Sequence, residues 1–220
     1  MSAVRVVAID GGAGSGKSTL ARGLARRLRL PYVNTGEMYR ALAATALREG
    51  VDVDDGNALL DLVRDLRFSL TAVDDPVLEV EGWARDQLHT AAVDATVSAV
   101  SRHRSVRAHL REVQRALADD GAVVEGRDIA SVVVPDAAVK IYVTAEADVR
   151  ADRRAAERGS GASTGDVGDA LRRRDALDAV TNPLVPAAGA DVIDTTGLDV
   201  DAALEAAIEI VRRRAPELLA

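Results

Sequence analysis

Two periods organise the apolar positions of this chain. Short apolar runs at Val6-Val7-Ala8-Ile9, Ala122-Val123-Val124 and Val139-Lys140-Ile141-Tyr142-Val143 read as buried strands, and Pro31-Tyr32-Val33-Asn34 and Ala190-Asp191-Val192-Ile193 as two more. Between them the spacing lengthens to the helical repeat. Leu20, Leu24 and Leu28 recur beside Ala21 and Ala25, and Thr35-Gly36 opens a helix through Met38, Leu42 and Leu47 that stops at Gly50. Further helices are predicted over residues 54–66, 91–100, 106–118, 147–158, 169–180 and 200–214, the last with Leu204, Ile208 and Val211 in register. Residues 67–70 and 77–81 alternate weakly about Asp74-Asp75-Pro76, which suggests a small hairpin. Residues 159–168 hold four glycines, too polar for core and too glycine-rich for regular structure, so a mobile loop or lid is expected there. No internal repeat is evident. Five strands interleaved with helices predict an α/β three-layer sandwich, a parallel five-stranded sheet covered on both faces. Ligand is expected at the carboxyl ends of its strands.

At 220 residues the chain has room for one large domain or for a core with an insertion. It has no cysteine, which excludes disulfides and thiolate metal sites and agrees with a reducing compartment. No charged-then-apolar leader precedes the first strand, and no apolar run approaches the roughly 18 residues a membrane span needs, so a cytoplasmic protein is expected. A net charge of −7 argues against nucleic acid as a partner, and one Trp, one Phe and three Tyr leave little for base-stacking platforms. No long apolar face is left over, and a monomer is expected.

The first strand runs into Gly11-Gly12-Ala13-Gly14-Ser15-Gly16-Lys17-Ser18, which fits G-x-x-x-x-G-K-[ST] in the strand–loop–helix context that pattern requires. Lys17 and Lys140 are the only lysines among 28 basic residues, which makes a chance match improbable. Glycines free the backbone to wrap an anion, amide N–H groups point inward, and the helix start adds its positive dipole end. Gly11 to Ser18 with Thr19 form the expected ATP-binding set, Lys17 reaching the β- and γ-phosphates and the Ser18 hydroxyl ligating Mg²⁺. Signalling GTPases carry this loop too, but the guanine-reading Asn-Lys-x-Asp is missing. A small phosphoryl transferase fits better, with the region after the second strand supplying an acceptor pocket and residues 159–168 a lid that excludes water.

Three further blocks bear on the acceptor. Asn34-Thr35-Gly36-Glu37-Met38-Tyr39-Arg40 resembles the (D/N)-(S/T)-G-x-(M/I)-Y-R element of bacterial cytidylate kinases, in the P-loop nucleoside monophosphate kinase family. Val124-Glu125-Gly126-Arg127-Asp128-Ile129 resembles their (E/D)-G-R-D-(I/M)-G element, and Arg174-Asp175-Ala176-Leu177-Asp178, Pro183-Leu184 and Ile193-Asp194-Thr195-Thr196 their C-terminal blocks. The elements follow in family order across nearly the whole chain.

The resemblance implies transfer of the γ-phosphoryl of ATP, with Mg²⁺, to CMP or dCMP. It implies that Thr35 touches the cytosine edge, that Tyr39 and Arg40 hold base and phosphate, and that Arg107 is a second acceptor-site arginine. Arg127 then binds phosphate, Asp128 reads the base, and Arg174 and Asp178 contact the acceptor's phosphate and sugar. Lys17, Arg127, Arg150 and Arg154 form the expected catalytic set. Chemistry supports this independently, because guanidinium forks neutralise phosphate directionally and phosphoryl transfer relies on positioning and charge. The expected layout is a core of residues 1–34 and 119–220, an acceptor-binding insertion at about 35–118, and a lid at about 158–169.

Rival readings stay open at several positions. Asp128 could pair with Arg127, and Arg107 could join Arg104, Arg111 and Arg115 in a solvated stripe. Arg150, Arg153 and Arg154 share one helix face, facing ATP or paired with Glu146 and Glu157. His89, His103 and His109 lack ligand spacing and read as surface residues. The chain also departs from the family pattern. Thr181 stands where an arginine is usual, Ala130 where a glycine is, and Leu88-His89-Thr90-Ala91-Ala92-Val93 replaces Arg-(S/T)-Pro-Glu-Val.

Overall fold

In the computed structural model, which describes residues 5–71, 76–158, 168, 176 and 184–219, the first apolar run becomes strand β1 (Val6–Gly11), buried throughout. It leads into α1 (Lys17–Leu28), β2 (Tyr32–Asn34) and α2 (Thr35–Glu49). Next come α3 (Gly56–Asp65), β3 (Phe68–Leu70), β4 (Leu78–Val80), the single turn α4 (Arg85–Leu88), α5 (Ala91–Ser101) and α6 (Arg104–Ala118). The chain returns to the sheet at β5 (Ala122–Gly126) and passes a π-helical turn (Ile129–Val133). It then runs through β6 (Val139–Thr144), α7 (Ala147–Arg158), β7 (Asp191–Asp194) and α8 (Val200–Arg214).

The five-stranded sheet has the order β2-β5-β1-β6-β7, every pairing parallel, and β3 and β4 form the separate antiparallel hairpin. After β1 the chain crosses to β2, outside β5. From β5 it crosses to β6 on the other side. That reversal opens a crevice at the carboxyl end of β1, where the glycine loop begins.

Strand alternation divides the core. Val7 and Ile9 face Leu20, Leu24 and Leu28 of α1 and Ala207, Ile208 and Val211 of α8. Val6 and Ala8 face the opposite layer, with Val33, Val124, Ala118 and the turn residues Ile129 and Val133. A third apolar cluster gathers Met38 and Leu42 of α2, Leu59 and Val63 of α3, Val93 and Val97 of α5, and Leu110 of α6.

The helix ends follow local chemistry. Asn34 caps α2 by accepting from Gly36 N at 3.0 Å, a contact worth about 1 kcal/mol, and Gly50 ends it with φ 67°. The sequence did not predict α4 or the π-helical turn. The expected lid over 159–168, apart from Gly168, and the expected helix over 169–180, apart from Ala176, lie outside the described residues.

Candidate active site

The phosphate loop leaves β1 at Gly11. Gly14 and Gly16 hold φ of 73° and 85°, left-handed values that side chains resist, and a Cβ on Gly14 would come within 2.7 Å of Arg150 O. Among the described residues α1 has no side-chain cap, so its first amides point out of the fold as an anion site. Ser15 Oγ donates to Gly12 O at 3.0 Å and Lys17 Nζ lies 3.4 Å from the same carbonyl. Ser18 and Thr19 follow as exposed residues of the first turn.

Helix α7 and the β7 end brace this loop. Arg150 Nη1 donates to Ala13 O at 3.2 Å. Arg153 donates to Thr195 Oγ1 at 2.8 Å and Thr195 O at 2.7 Å, and the buried Thr195 hydroxyl lies 3.0 Å from Ser15 O. Arg154 turns away from its two neighbours and reaches Asp94 Oδ2 at 3.3 Å.

The opposite wall is hung on the ends of β2 and β5. Thr35 Oγ1 donates to Glu125 O at 2.8 Å and so ties the start of α2 to the sheet. A Cβ on Gly126 would lie 2.7 Å from that hydroxyl, so a glycine is required there. One helical turn on, Arg40 is 6 % exposed; it donates to Asp94 Oδ1 at 2.6 Å and Leu88 O at 3.0 Å. Arg107 and Arg111 of α6 donate to Asp128 Oδ2 at 2.8 and 2.9 Å, and Arg127 Nη1 reaches back to Gly11 O at 2.7 Å.

Burial shapes the titration of the site. Asp10, at the end of β1, accepts from Ile129 N at 2.8 Å and Ala130 N at 2.9 Å. Burial, with repulsion from Asp128, raises its pKa to about 6 against those bonds and the pull of Lys17. Burial pushes Tyr39 up to about 12, and burial with the Glu125 charge raises Tyr32, whose hydroxyl donates to Glu125 Oε1 at 2.7 Å.

One cavity is lined by Ala13, Gly14, Gly16, Lys17, Ser18 and Thr19 on the loop side. Thr35, Tyr39, Arg40, Arg107, Arg127, Asp128 and Arg154 line it from the other. The remaining loop residues, Gly11, Gly12 and Ser15, are buried, and Arg150 bonds the loop at Ala13 O. Arg174 and Asp178 lie outside the described residues.

Arg107 is buried rather than part of a solvated stripe, and Asp128 receives Arg107 and Arg111. His89 is exposed as expected, and its Nε2 lies 2.8 Å from Glu37 Oε1 in the buried first turn of α2. Arg29 is the only described non-glycine residue with positive φ, so Ala130 keeps an ordinary backbone. Sequence reasoning also missed Asp94, Glu125 and Gln114 on these walls. Only Glu125 carried a signal, since it sits inside the Glu-Gly-Arg-Asp block.

A parallel sheet with a phosphate loop at its switch point, facing a wall of arginines, defines a P-loop kinase of small acceptors. Solved structures agree on the fold alone. An uncharacterised protein from Eubacterium ventriosum superposes with TM-score 0.55 at 17 % identity, covering 96 % of this chain and 99 % of the other. A sugar kinase from Janibacter sp. HTCC2649 gives 0.52 at 13 % identity, with 99 % of each chain covered.

Sequence comparison is sharper. The cytidylate kinase family model matches residues 7–213. Cytidylate kinases from Geobacillus kaustophilus and Rhodococcus jostii are 43 % and 41 % identical, over 94 % and 95 % of this chain and 96 % and 95 % of theirs. The chain belongs to the cytidylate kinase family, and it is an ATP-dependent kinase.

Proposed function

We infer that this site transfers the γ-phosphoryl group of ATP to CMP or dCMP, giving ADP and CDP or dCDP. The observation that carries the reading is the convergence of Lys17 with Arg40, Arg107, Arg127 and Arg154 on one cavity. Two anionic substrates repel each other, and each phosphate monoester adds about two negative charges at neutral pH. A chain of net charge −7 overcomes that repulsion only by gathering cations locally.

The loop amides and Lys17 take the β- and γ-phosphates. Arg127, which already touches the loop at Gly11 O, bridges donor and acceptor, and Arg150 and Arg154 complete the catalytic set from α7. Arg40 and Arg107 hold the acceptor phosphate. Both Arg107 and Arg111 use Oδ2 of Asp128, which leaves Oδ1 to accept from the exocyclic amine of cytosine, with Thr35 and Tyr39 beside the base. Arg174 and Asp178 finish the acceptor set on the resemblance alone. Catalysis here is positioning and charge stabilisation, with little covalent work.

Mg²⁺ fits the donor set. Glu125 Oε2 is buried without a hydrogen-bond partner, and Glu125 and the exposed Ser18 line the same cavity. These are hard oxygen donors, and no cluster of three or more acidic, His or Cys side chains forms a protein cage among the described residues. That suits an ion that takes one or two carboxylates, waters and substrate phosphates. When bound, Mg²⁺ neutralises charge on the β- and γ-oxygens. Ser18 would hold it directly and Glu125 through water.

Residues 35–118 act in this proposal as the acceptor-binding insertion, supported by their own apolar cluster, and about 158–169 as the lid. We place the enzyme in the cytoplasm on its cysteine-free composition, and read it as a monomer because its sequence leaves no long apolar face unassigned; no described helix is long and apolar enough to cross a membrane. A coupled ADP-release assay with CMP, dCMP, UMP, AMP and GMP tests the reading. Turnover is expected with CMP and dCMP, lost in EDTA and restored by Mg²⁺. Absence of CMP turnover would overturn it.

A further inference from the structure

Asp94 stands between two arginines that belong to different sides of the site. Its Oδ1 accepts from Arg40 Nη2 at 2.6 Å and its Oδ2 lies 3.3 Å from Arg154 Nη2. Arg40 comes from α2 in the acceptor wall. Arg154 comes from α7, which leads toward residues 159–168. Asp94 is held in the first turn of α5, where Thr90 caps the helix by accepting from Val93 N at 3.3 Å. This stretch is where the chain departs from the family's usual element, and its Leu88 carbonyl supplies Arg40's other partner at 3.0 Å.

We propose that Asp94 is a positioning residue that links acceptor binding at Arg40 to donor binding at Arg154; the proposal rests on the phosphoryl-transfer reading above. Two bonds to protein fix the plane of the Arg40 guanidinium and leave its remaining N–H groups for a phosphate, so less ordering is needed when the acceptor arrives. The carboxylate also screens two buried-side cations that would otherwise repel each other. Because each oxygen serves a different helix, a shift of α7 that strains the Arg154 bond also disturbs Arg40. Affinities for the two substrates are then reciprocally coupled.

The test is calorimetric titration of CMP into the full-length protein with and without a non-hydrolysable ATP analogue and Mg²⁺, in wild type, Asp94→Asn, Arg154→Gln and the double variant. In wild type the analogue tightens CMP binding. In Asp94→Asn that coupling drops by about tenfold, within the usual range of site-to-site couplings, and KM for CMP rises more than KM for ATP. Adding Arg154→Gln to Asp94→Asn costs no further coupling, since both break one link, and Asp94→Glu restores part of it. Four results would overturn the proposal: no coupling in wild type, coupling in Asp94→Asn within about twofold of wild type, tighter CMP binding in that variant (a competing anion), or additive losses in the double variant. Arg154→Gln breaks the link without touching Arg40, so a poorly folding Asp94 variant leaves the idea open to refutation. If wild type turns over CMP but its coupling ignores Asp94, this proposal alone fails. If CMP is no substrate, the functional reading fails instead.

Discussion

Replacing Asp128 by asparagine separates a base-reading carboxylate from a structural one. Asp128 is 16 % exposed and its Oδ2 receives both Arg107, 8 % exposed, and Arg111, 26 % exposed. Asparagine keeps the shape and one oxygen but removes the charge that answers two guanidiniums. Breaking a buried ion pair from one side costs about 3–5 kcal/mol. Partial exposure and the retained oxygen reduce that here to about 2–3 kcal/mol. For a chain of 220 residues this lowers Tm by about 5–10 °C, at roughly 2–4 °C per kcal/mol. Losing a charged hydrogen bond to the base costs about 1.5–3 kcal/mol more in acceptor binding, so KM for CMP rises about 10- to 100-fold.

The donor site should be spared, because the loop contacts of Arg150 and Lys17 do not involve Asp128. KM for ATP should stay within about twofold, the ordinary scatter of a variant that removes no contact to that substrate. The assays are thermal unfolding and ADP release with each substrate varied in turn. A third readout is independent of both. Asp128 is one cause of the raised pKa of Asp10, so the fall in stability that Asp10 causes as pH rises toward about 6 should end at a lower pH. Equal rises in both KM values, or an unchanged Tm, would refute the reasoning.

Lys17→Ala should cut kcat by about 10²- to 10³-fold, as loss of a transition-state donor does, with a Tm close to wild type; near-normal turnover would remove the lysine from catalysis. Asp10 predicts a pH dependence of known sign. Its carboxyl is raised from 3.8 to about 6 on folding, so its contribution to stability is fully present below pH about 4 and is lost as pH rises through about 6. The loss amounts to about 3 kcal/mol. Urea denaturation from pH 4 to 7 should therefore show Asp10→Asn gaining on wild type as pH rises, whatever its offset; a constant difference would contradict the shift. Ser18→Ala should raise the Mg²⁺ concentration needed for half-maximal turnover while leaving KM for CMP near wild type. An unchanged Mg²⁺ requirement would take the hydroxyl off the metal.

Much of the fold could be read from short-range patterns. The run Val6 to Ile9 and the Leu20, Leu24, Leu28 repeat became β1 and α1 as expected, and in the phosphate loop between them Gly14 and Gly16 hold left-handed φ. The single turn α4 and the π-helical turn were not legible. Four residues are too few to show a period, and the π-helical turn depends on Asp10, 119 and 120 positions away, accepting from Ile129 and Ala130.

The candidate site divides the same way. Which residue types meet the phosphates followed from the motif blocks, because loop, helix start and strand end are local objects carried by a few consecutive residues. Who pairs with whom did not. Arg40 finds Asp94 54 positions on, Glu37 finds His89 52 positions on, and Arg107 turns from an apparent surface stripe to Asp128. Even the place of β5 between β1 and β2 has no signature in either strand. Periodicity in a chain records which face of each element is dry. Partners across faces are chosen only when the sheet order and helix packing bring distant charges within reach and remove the water that would otherwise have satisfied them.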